Sequence, residues 1–205
     1  MAGLIKKLFC GAGVLALGLA LASCSVFSPV QSLSTSTYVV NTVPHVRVHR
    51  AHKTSLLVNL PQTNPIYNST DMAYMAQPYQ IGYFAKNNWA ATPAQMLQTL
   101  MVQTLQNTQH FSNVTANLGV GSASYSLTTE IVDFHQDFLH VRSAYHLTVR
   151  AQLVLTATNT VVAAREFKIV EPATQNTPLG GVYAANQAAA KFLRELSEFC
   201  IRHTR

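Results

Sequence analysis

Histidine clusters are the first place in this 205-residue sequence where metal chemistry could occur. His45, His49 and His52 lie within the stretch PHVRVHRAHK, which contains no acidic residue. A metal site needs imidazoles that converge on one point, with hydrogen-bond partners for their second nitrogens. On a strand, His45 and His49 would share a face with Arg47, and that cation would oppose a second one. We therefore predict no metal site. We predict a basic surface strip, including Arg47 and Arg50, that contacts either lipid phosphates or an acidic partner.

A second cluster, HQDFLH, brings His135, Asp137 and His140 close together in the sequence. It falls between two predicted strands, so we interpret it as a solvated turn rather than a site. The sequence lacks G-x-S-x-G, H-E-x-x-H and Walker-type motifs, and its eight acidic residues leave little material for acid–base pairs. We predict no catalytic residue and no enzymatic activity, although a dispersed triad stays open.

The three cysteines have different sequence contexts. Two lysines precede an uncharged apolar stretch at residues 8–22, a pattern typical of an export signal. The stretch contains Cys10 and is followed by Ser23 and Cys24, and residues 21–24 (LASC) resemble the lipobox of bacterial lipoproteins. We predict that Cys24 becomes the first residue of the mature chain and carries covalent lipid such as palmitate, with no other cofactor. Cys200 would be the remaining thiol, inert on an apolar helical stripe.

This reading divides the chain into three parts. Residues 1–23 form the predicted lipoprotein signal peptide, residues 24–36 a lipidated flexible tether, and residues 37–205 one folded domain. As a coil, the tether would span roughly 20 Å. Removing the signal lowers the formal net charge from +6 to +4, which is too diffuse to indicate nucleic acid. Ser25 follows the acylated cysteine where an aspartate would favour inner-membrane retention. We therefore predict the outer membrane, on its periplasmic face.

Aromatic residues provide a resource for binding. Aromatic and thioether side chains are concentrated before the first predicted helix, at Tyr67, Met72, Tyr74, Met75, Tyr79, Tyr83 and Trp89. Such side chains suit adaptable apolar contact with a protein or with lipid chains. The alternative is that about half of them cover the core. The predicted residues for partner or lipid contact are Tyr74, Tyr79, Tyr83, Trp89, Arg47 and Arg50.

The pattern of apolar residues predicts the elements that would position these side chains. Short β-type runs occur near residues 37–44, 55–60 and 80–84, whereas the turn-rich segment 62–77 gives no clear strand. Thr92, Pro93 and Gln95 form an N-cap, a first helical residue and a capping box, so a helix should begin there.

In the second half of the chain, apolar and polar residues first alternate and then recur at helical spacing. Period-two alternation predicts three strands, near residues 124–134, 141–155 and 161–170. A continuous apolar stripe predicts a helix over about residues 181–203, with Lys191–Glu195 and Arg194–Glu198 as exposed pairs four residues apart. The order strands, helix, three strands, helix indicates an α+β fold. We expect an antiparallel or mixed sheet with two α-helices packed on one face.

The order of these features resembles that of a known family. The LASC lipobox, the early STYVV strand, the segment QIGYFAKNNWAATPAQMLQTLMVQTL and the later ASYSLTTEIVDF strand stand in matching places. Trp89, Ala90 and Pro93 correspond to a Trp-Ala-x-x-Pro-like segment before the first helix. Over about residues 37–203, the sequence is similar to the ABC-type transport auxiliary lipoproteins, the PqiC-like component of MCE lipid-transport systems.

The resemblance implies a role without catalysis. Such a lipoprotein would be the accessory part of a system in which an ATPase, a permease and an MCE-domain protein move lipid across the bacterial envelope. Expected partners are therefore these proteins and membrane lipid, and self-association into a homo-oligomer is left open. The alternative function is an envelope assembly or structural lipoprotein unrelated to ABC transport.

Overall fold

The computed structural model describes residues 34–47, 50, 52–117 and 122–204. The predicted signal peptide, Cys24 and His49 lie outside the described residues, and nearly all of the tether does too, so those assignments stay predictions. The described strands are β1 (Ser36–Tyr38), β2 (Ser55–Val58), β3 (Gln62–Thr63), β4 (Asp71–Gln77), β5 (Gln80–Trp89), β6 (Asn113–Thr115), β7 (Tyr125–Asp137), β8 (Ala144–Leu155) and β9 (Thr160–Pro172). The α-helices are α1 (Pro93–Asn107) and α2 (Pro178–His203), and a 3-10 helix covers Pro65–Tyr67.

Strand β7 is the centre of a curled, mixed sheet. One edge of β7 pairs in succession with β2, β3 and β4, all in parallel orientation. Its other edge begins an antiparallel meander of β7, β8 and β9. The sheet extends past β4 to β5 and β1, and past β2 to β6. The predicted α+β class and the three-strand meander are confirmed.

Two parts of the strand prediction were wrong. The turn-rich segment 62–77 contains β3 and β4, and β4 joins β5 in a hairpin. A register shift between Asp71 and Ala73 breaks the period-two alternation of β4, so Met72 and Ala73 are both buried although they are neighbours. Strand β8 begins at Ala144, which leaves Val141 in the preceding loop rather than on a dry strand face.

Helix α1 forms as its sequence predicts. The Thr92 side chain accepts a hydrogen bond from the Gln95 amide, and the Gln95 side chain accepts one from the Thr92 amide. This capping box satisfies amides that have no partner inside the helix. The stripe that includes Leu97, Leu100 and Leu105 is buried in the core.

Helix α2 is long and packs closely because one face is rich in alanine. Its 26 residues correspond to a length of about 39 Å. The predicted Lys191–Glu195 pair does not form. Lys191 instead forms an ion pair with Glu171 of β9, and Glu195 forms one with Arg165 of β9. These contacts fasten the helix to the sheet. Within the described part of the chain, no helix has the length and apolar character needed to cross a bilayer.

Candidate functional site

The turn of the β4–β5 hairpin presents an aromatic ring to solvent. Gln77 pairs with Gln80, so Pro78 and Tyr79 are the two central residues of the turn. Tyr79 has a φ of 66° and a relative exposure of 102 %. A bulky residue is unfavourable in the left-handed region, which glycine or asparagine usually occupies at this turn position. The hairpin therefore holds Tyr79 in a strained conformation although its ring packs against nothing.

A cluster of three aromatic rings lies on the sheet behind this turn. The centres of the Tyr74 and Phe84 rings are 4.6 Å apart. Both rings make edge-to-face contacts with the Phe138 ring, with ring centres 6.1 Å apart for Tyr74 and 6.3 Å apart for Phe84. Gly82 is paired with Tyr74, and a Cβ added at Gly82 would be 2.6 Å from the Tyr74 ring. The absence of a side chain at Gly82 thus lets Tyr74 lie flat across β5. Tyr74 is half-buried in this cluster.

The other two predicted aromatic contact residues have different surroundings. Tyr83 is 46 % exposed, and its hydroxyl donates a hydrogen bond to the carbonyl of Ile66 at 3.0 Å. Trp89 is only 2 % exposed, and its ring packs against Phe134 and Tyr145 in the core. Trp89 is therefore a core residue, and its prediction as a contact residue was wrong. Contact of Tyr74, Tyr79 and Tyr83 with a partner or with lipid stays a prediction.

A second exposed apolar group lies beside the hairpin turn, in the β7–β8 loop. The Phe138 amide donates to the carbonyl of Met75 at 2.8 Å, which holds the start of this loop against β4. Leu139 is exposed, and Val141 has a relative exposure of 98 %. We call Tyr79, Leu139 and Val141 the tip surface. Sequence reasoning missed Leu139 and Val141, although the alternation of apolar and basic residues in LHVR is a signal for them.

The HQDFLH cluster is not a solvated turn, because His135 and Asp137 are buried residues of β7. A hydrogen bond of 3.0 Å joins His135 Nδ1 to the Tyr67 hydroxyl, and the His135 ring stacks on that of His146. Burial, and then the neighbouring His146, lower the pKa of His135. Burial raises the pKa of Tyr67 to about 12, and the charge of Asp133 adds to this shift.

These groups form a structural polar cluster. Asp137 lies 3.5 Å from His146 Nε2 and also accepts the amide of Leu139 at 2.6 Å, so it orders the start of the β7–β8 loop. His140 is exposed in that loop. Cys200 is fully buried, and desolvation raises the pKa of its thiol to about 12, which agrees with an inert core cysteine. No three His, Cys, Asp or Glu side chains are grouped to hold a metal ion anywhere in the described ranges.

A basic groove lies between the segment after β1 and the C-terminal half of α2. Its volume is about 580 Å³, and it is lined by His45, Val46, Arg47, Arg194, Ser197, Glu198, Ile201 and Arg202. Its three arginines are exposed, and none of them joins an ion pair between described residues. Arg47 therefore belongs to a larger cationic surface than its sequence neighbours suggest. Arg50 is exposed as well.

The tip surface and the basic groove lie at opposite ends of the domain. Helix α2 begins beside the end of β7, where Gln136 Nε2 donates to the carbonyl of Thr177 at 3.2 Å. The helix ends where the Thr204 hydroxyl contacts His110 Nε2 at 3.1 Å, just before β6 and level with the start of β7. The groove residues of α2, from Arg194 to Arg202, are about 24–36 Å along the helix from its start at Pro178.

This arrangement defines an α+β domain that offers open surfaces for contact. The chain belongs to the family of ABC-type transport auxiliary lipoprotein components, whose model matches residues 38–197. The resemblance found in the sequence is thereby confirmed for the family.

Solved structures support the same fold. The chain is similar to protein XCC0632 from Xanthomonas campestris, with a TM-score of 0.71 and 19 % identity, over 83 % of this chain and 96 % of that one. An uncharacterized protein gives a TM-score of 0.67 at 16 % identity, over 82 % and 99 % of the two chains. The hypothetical protein CT253 from Chlamydia trachomatis gives a TM-score of 0.52 at 7 % identity, over 74 % of this chain and 98 % of that one. No curated protein matches the sequence.

Proposed function

We propose that this protein is the membrane-anchored accessory component of an ABC/MCE-type system that transports lipid across the bacterial envelope. The observation that carries the proposal is the family match, which extends from β1 into the last third of α2 and so includes nearly the whole described domain. The system's ATPase would supply the energy, since the sequence has no Walker-type loop. This chain would contribute attachment and docking rather than catalysis.

Attachment would come from acylation of Cys24, at the outer membrane and on its periplasmic face. A single acyl chain binds a membrane only marginally, whereas two or more chains give stable anchoring. A lipoprotein terminus carries several chains. The absence of aspartate at Ser25 supports the outer membrane as the destination.

Docking would use the basic groove, with an acidic surface of the MCE-domain protein or its permease complex as the partner. Arg47, Arg194 and Arg202 line the groove together with Glu198, and none of the three arginines forms an ion pair between described residues. Such unpaired cations accelerate association with an acidic partner and select against basic ones. The contact would depend on the exposed charges of these arginines, so it is expected to weaken as salt increases.

Site-specific photo-cross-linking in intact cells would test this function. A photoreactive amino acid at Arg47 or Arg202 is expected to capture an MCE-domain protein, a permease or an ATPase. The same probe at Thr158, in the exposed β8–β9 turn, is the matched control and is expected to capture much less. Capture of a different envelope assembly complex at Arg47 would contradict the transport role and favour a structural lipoprotein.

A further inference from the structure

The N-terminal part of the domain enters the sheet from the side of the hairpin turn. Strand β1 pairs in parallel with the end of β5, with Ser36 opposite Asn87 and Tyr38 opposite Trp89. Because the pairing is parallel, the chain that precedes Ser36 comes from the direction of Gln80, where β5 leaves the turn. The distance from Asn87 back to Gln80 is about 23 Å at the rise of a β-strand.

The chain that joins Cys24 to β1 has the length to cover this distance. As a coil, residues 24–36 span roughly 20 Å, and an extended chain of this length reaches about 40 Å. An acyl group on Cys24 can therefore lie level with the hairpin turn. The chain enters β1 from the side of the turn and continues away from it towards the groove, which His45 and Arg47 line, so the entry direction favours the turn end.

The tip surface has the composition of a segment that lies at a membrane interface. Tyr79 and Val141 are the two most exposed of the large apolar side chains in the described ranges. Tyrosine suits the headgroup region because its ring is apolar and its hydroxyl stays hydrated. His140 and Arg142 alternate with the apolar residues of the loop and are exposed. Arg142 Nε donates to the carbonyl of Ala173 at 2.8 Å, so the outer N–H groups of its guanidinium and the His140 ring can face lipid phosphates.

The acidic side chains Asp137 and Glu171 at this end have partners within the domain. Asp137 is buried, contacts His146 and accepts the Leu139 amide. Glu171, near the end of β9, forms an ion pair with Lys191. An anionic lipid surface would therefore meet apolar and basic side chains at the tip. The strained φ of Tyr79 gives an independent reason to look for a contact there, because strain of this kind is concentrated at functional sites.

We propose that the tip surface lies in the headgroup region of the same bilayer that holds the acyl chains of Cys24. Tyr79 and Val141 enter the interface, and His140 and Arg142 face the phosphates. This inference rests on the acyl anchor of the proposed function. It also fixes an orientation, in which α2 points away from the membrane and carries the basic groove about 24–36 Å outward to meet its partner.

Fluorescence quenching by spin-labelled lipid tests this orientation on the full lipidated chain. Single cysteines at Tyr79 and Val141 (Tyr79→Cys, Val141→Cys) are labelled with an environment-sensitive dye and reconstituted into vesicles. The vesicles contain phosphatidylethanolamine, phosphatidylglycerol and a phosphatidylcholine spin-labelled near its headgroup. The buried Cys200 does not react, and lipid blocks Cys24. Val161→Cys is the matched control, since Val161 is 50 % exposed beside the β8–β9 turn at the opposite end.

A side chain in the interface lies about 5–10 Å into the boundary between headgroups and acyl chains, so its dye is near the headgroup spin label and should lose a large part of its emission. Both tip dyes are expected to be quenched to this extent, while the Val161→Cys dye is unaffected. Equal quenching at all three positions, or none on protein that floats with the vesicles, overturns the proposal. The latter result would mean that the tip surface lies outside the headgroup region although the protein is bound to the bilayer. Failure of the protein to float at all would instead refute the anchor and, with it, the proposed function.

Discussion

Replacing Tyr79 by glycine should make the domain more stable, although it removes a large aromatic side chain. A residue other than glycine costs about 1–2 kcal/mol in the left-handed region that Tyr79 occupies. Glycine would relieve this strain but would add about 0.5–1 kcal/mol of unfolded-state entropy. The ring is fully exposed, so its loss removes no packing. The free energy of unfolding should therefore rise by about 0.5–1 kcal/mol, equivalent to roughly 1–4 °C in Tm for a domain of this size.

The matched variant is Tyr79→Ala, which removes the ring but keeps the backbone strain. Its melting temperature should stay close to that of the wild type, because exposed substitutions usually change stability by less than about 0.5 kcal/mol. Both variants are compared by thermal melts of the lipidated protein in one detergent. If glycine and alanine gave the same Tm, or if glycine lowered it, Tyr79 would not be strained in solution. The argument that its conformation serves a contact would then fail.

Three further variants test the anchor, the core and the polar cluster. Cys24→Ser should release the protein from membranes as an unlipidated form, and retention after an alkaline wash would contradict acylation. Leu100→Asp puts an unpaired charge into the buried stripe of α1, so the folded domain should be lost; a melt like that of the wild type would show that the stripe is not core. The lowered pKa of His135 means that the unfolded chain binds more protons below about pH 6.5, so acidification reduces stability there. His135→Asn keeps an acceptor for Tyr67 but cannot be protonated. Its free energy of unfolding should fall less with decreasing pH over that window, and an unchanged pH dependence would count against a neutral His135.

Local signals in the sequence were sufficient for some elements. Thr92, Pro93 and Gln95 act within one turn of each other, so the start of α1 could be read without knowing its surroundings. The alternation along β7, β8 and β9 was equally readable, because these strands pair with their neighbours in the chain. Strand β4 was missed because it depends on distant partners. Its register shift breaks the alternation, and its pairing with Gln136 and Asp137 crosses about sixty residues of sequence.

The contact surfaces were only partly predictable for a related reason. Tyr79 could be named from sequence as one of the aromatic residues concentrated before the first predicted helix. Arg47 was named too, but its neighbours in the groove, Arg194 and Arg202, are brought to it only by the path of α2 across the sheet. Trp89 was misjudged because it ends β5 on the core side, where the rings of Phe134 and Tyr145 enclose it.

A weak contact at the tip is sufficient once the acyl chains hold the domain at the bilayer. Anchoring converts the second contact into an intramolecular event, with an effective concentration in the millimolar range for a short flexible connection. A tip affinity near 1 mM, about −4 kcal/mol, would then keep the domain oriented for much of the time. A few side chains such as Tyr79 and Val141 are of the right scale for that task. A tether alone would let the domain tumble and would leave the basic groove facing the membrane as often as the partner, so the tip contact gives the groove its direction.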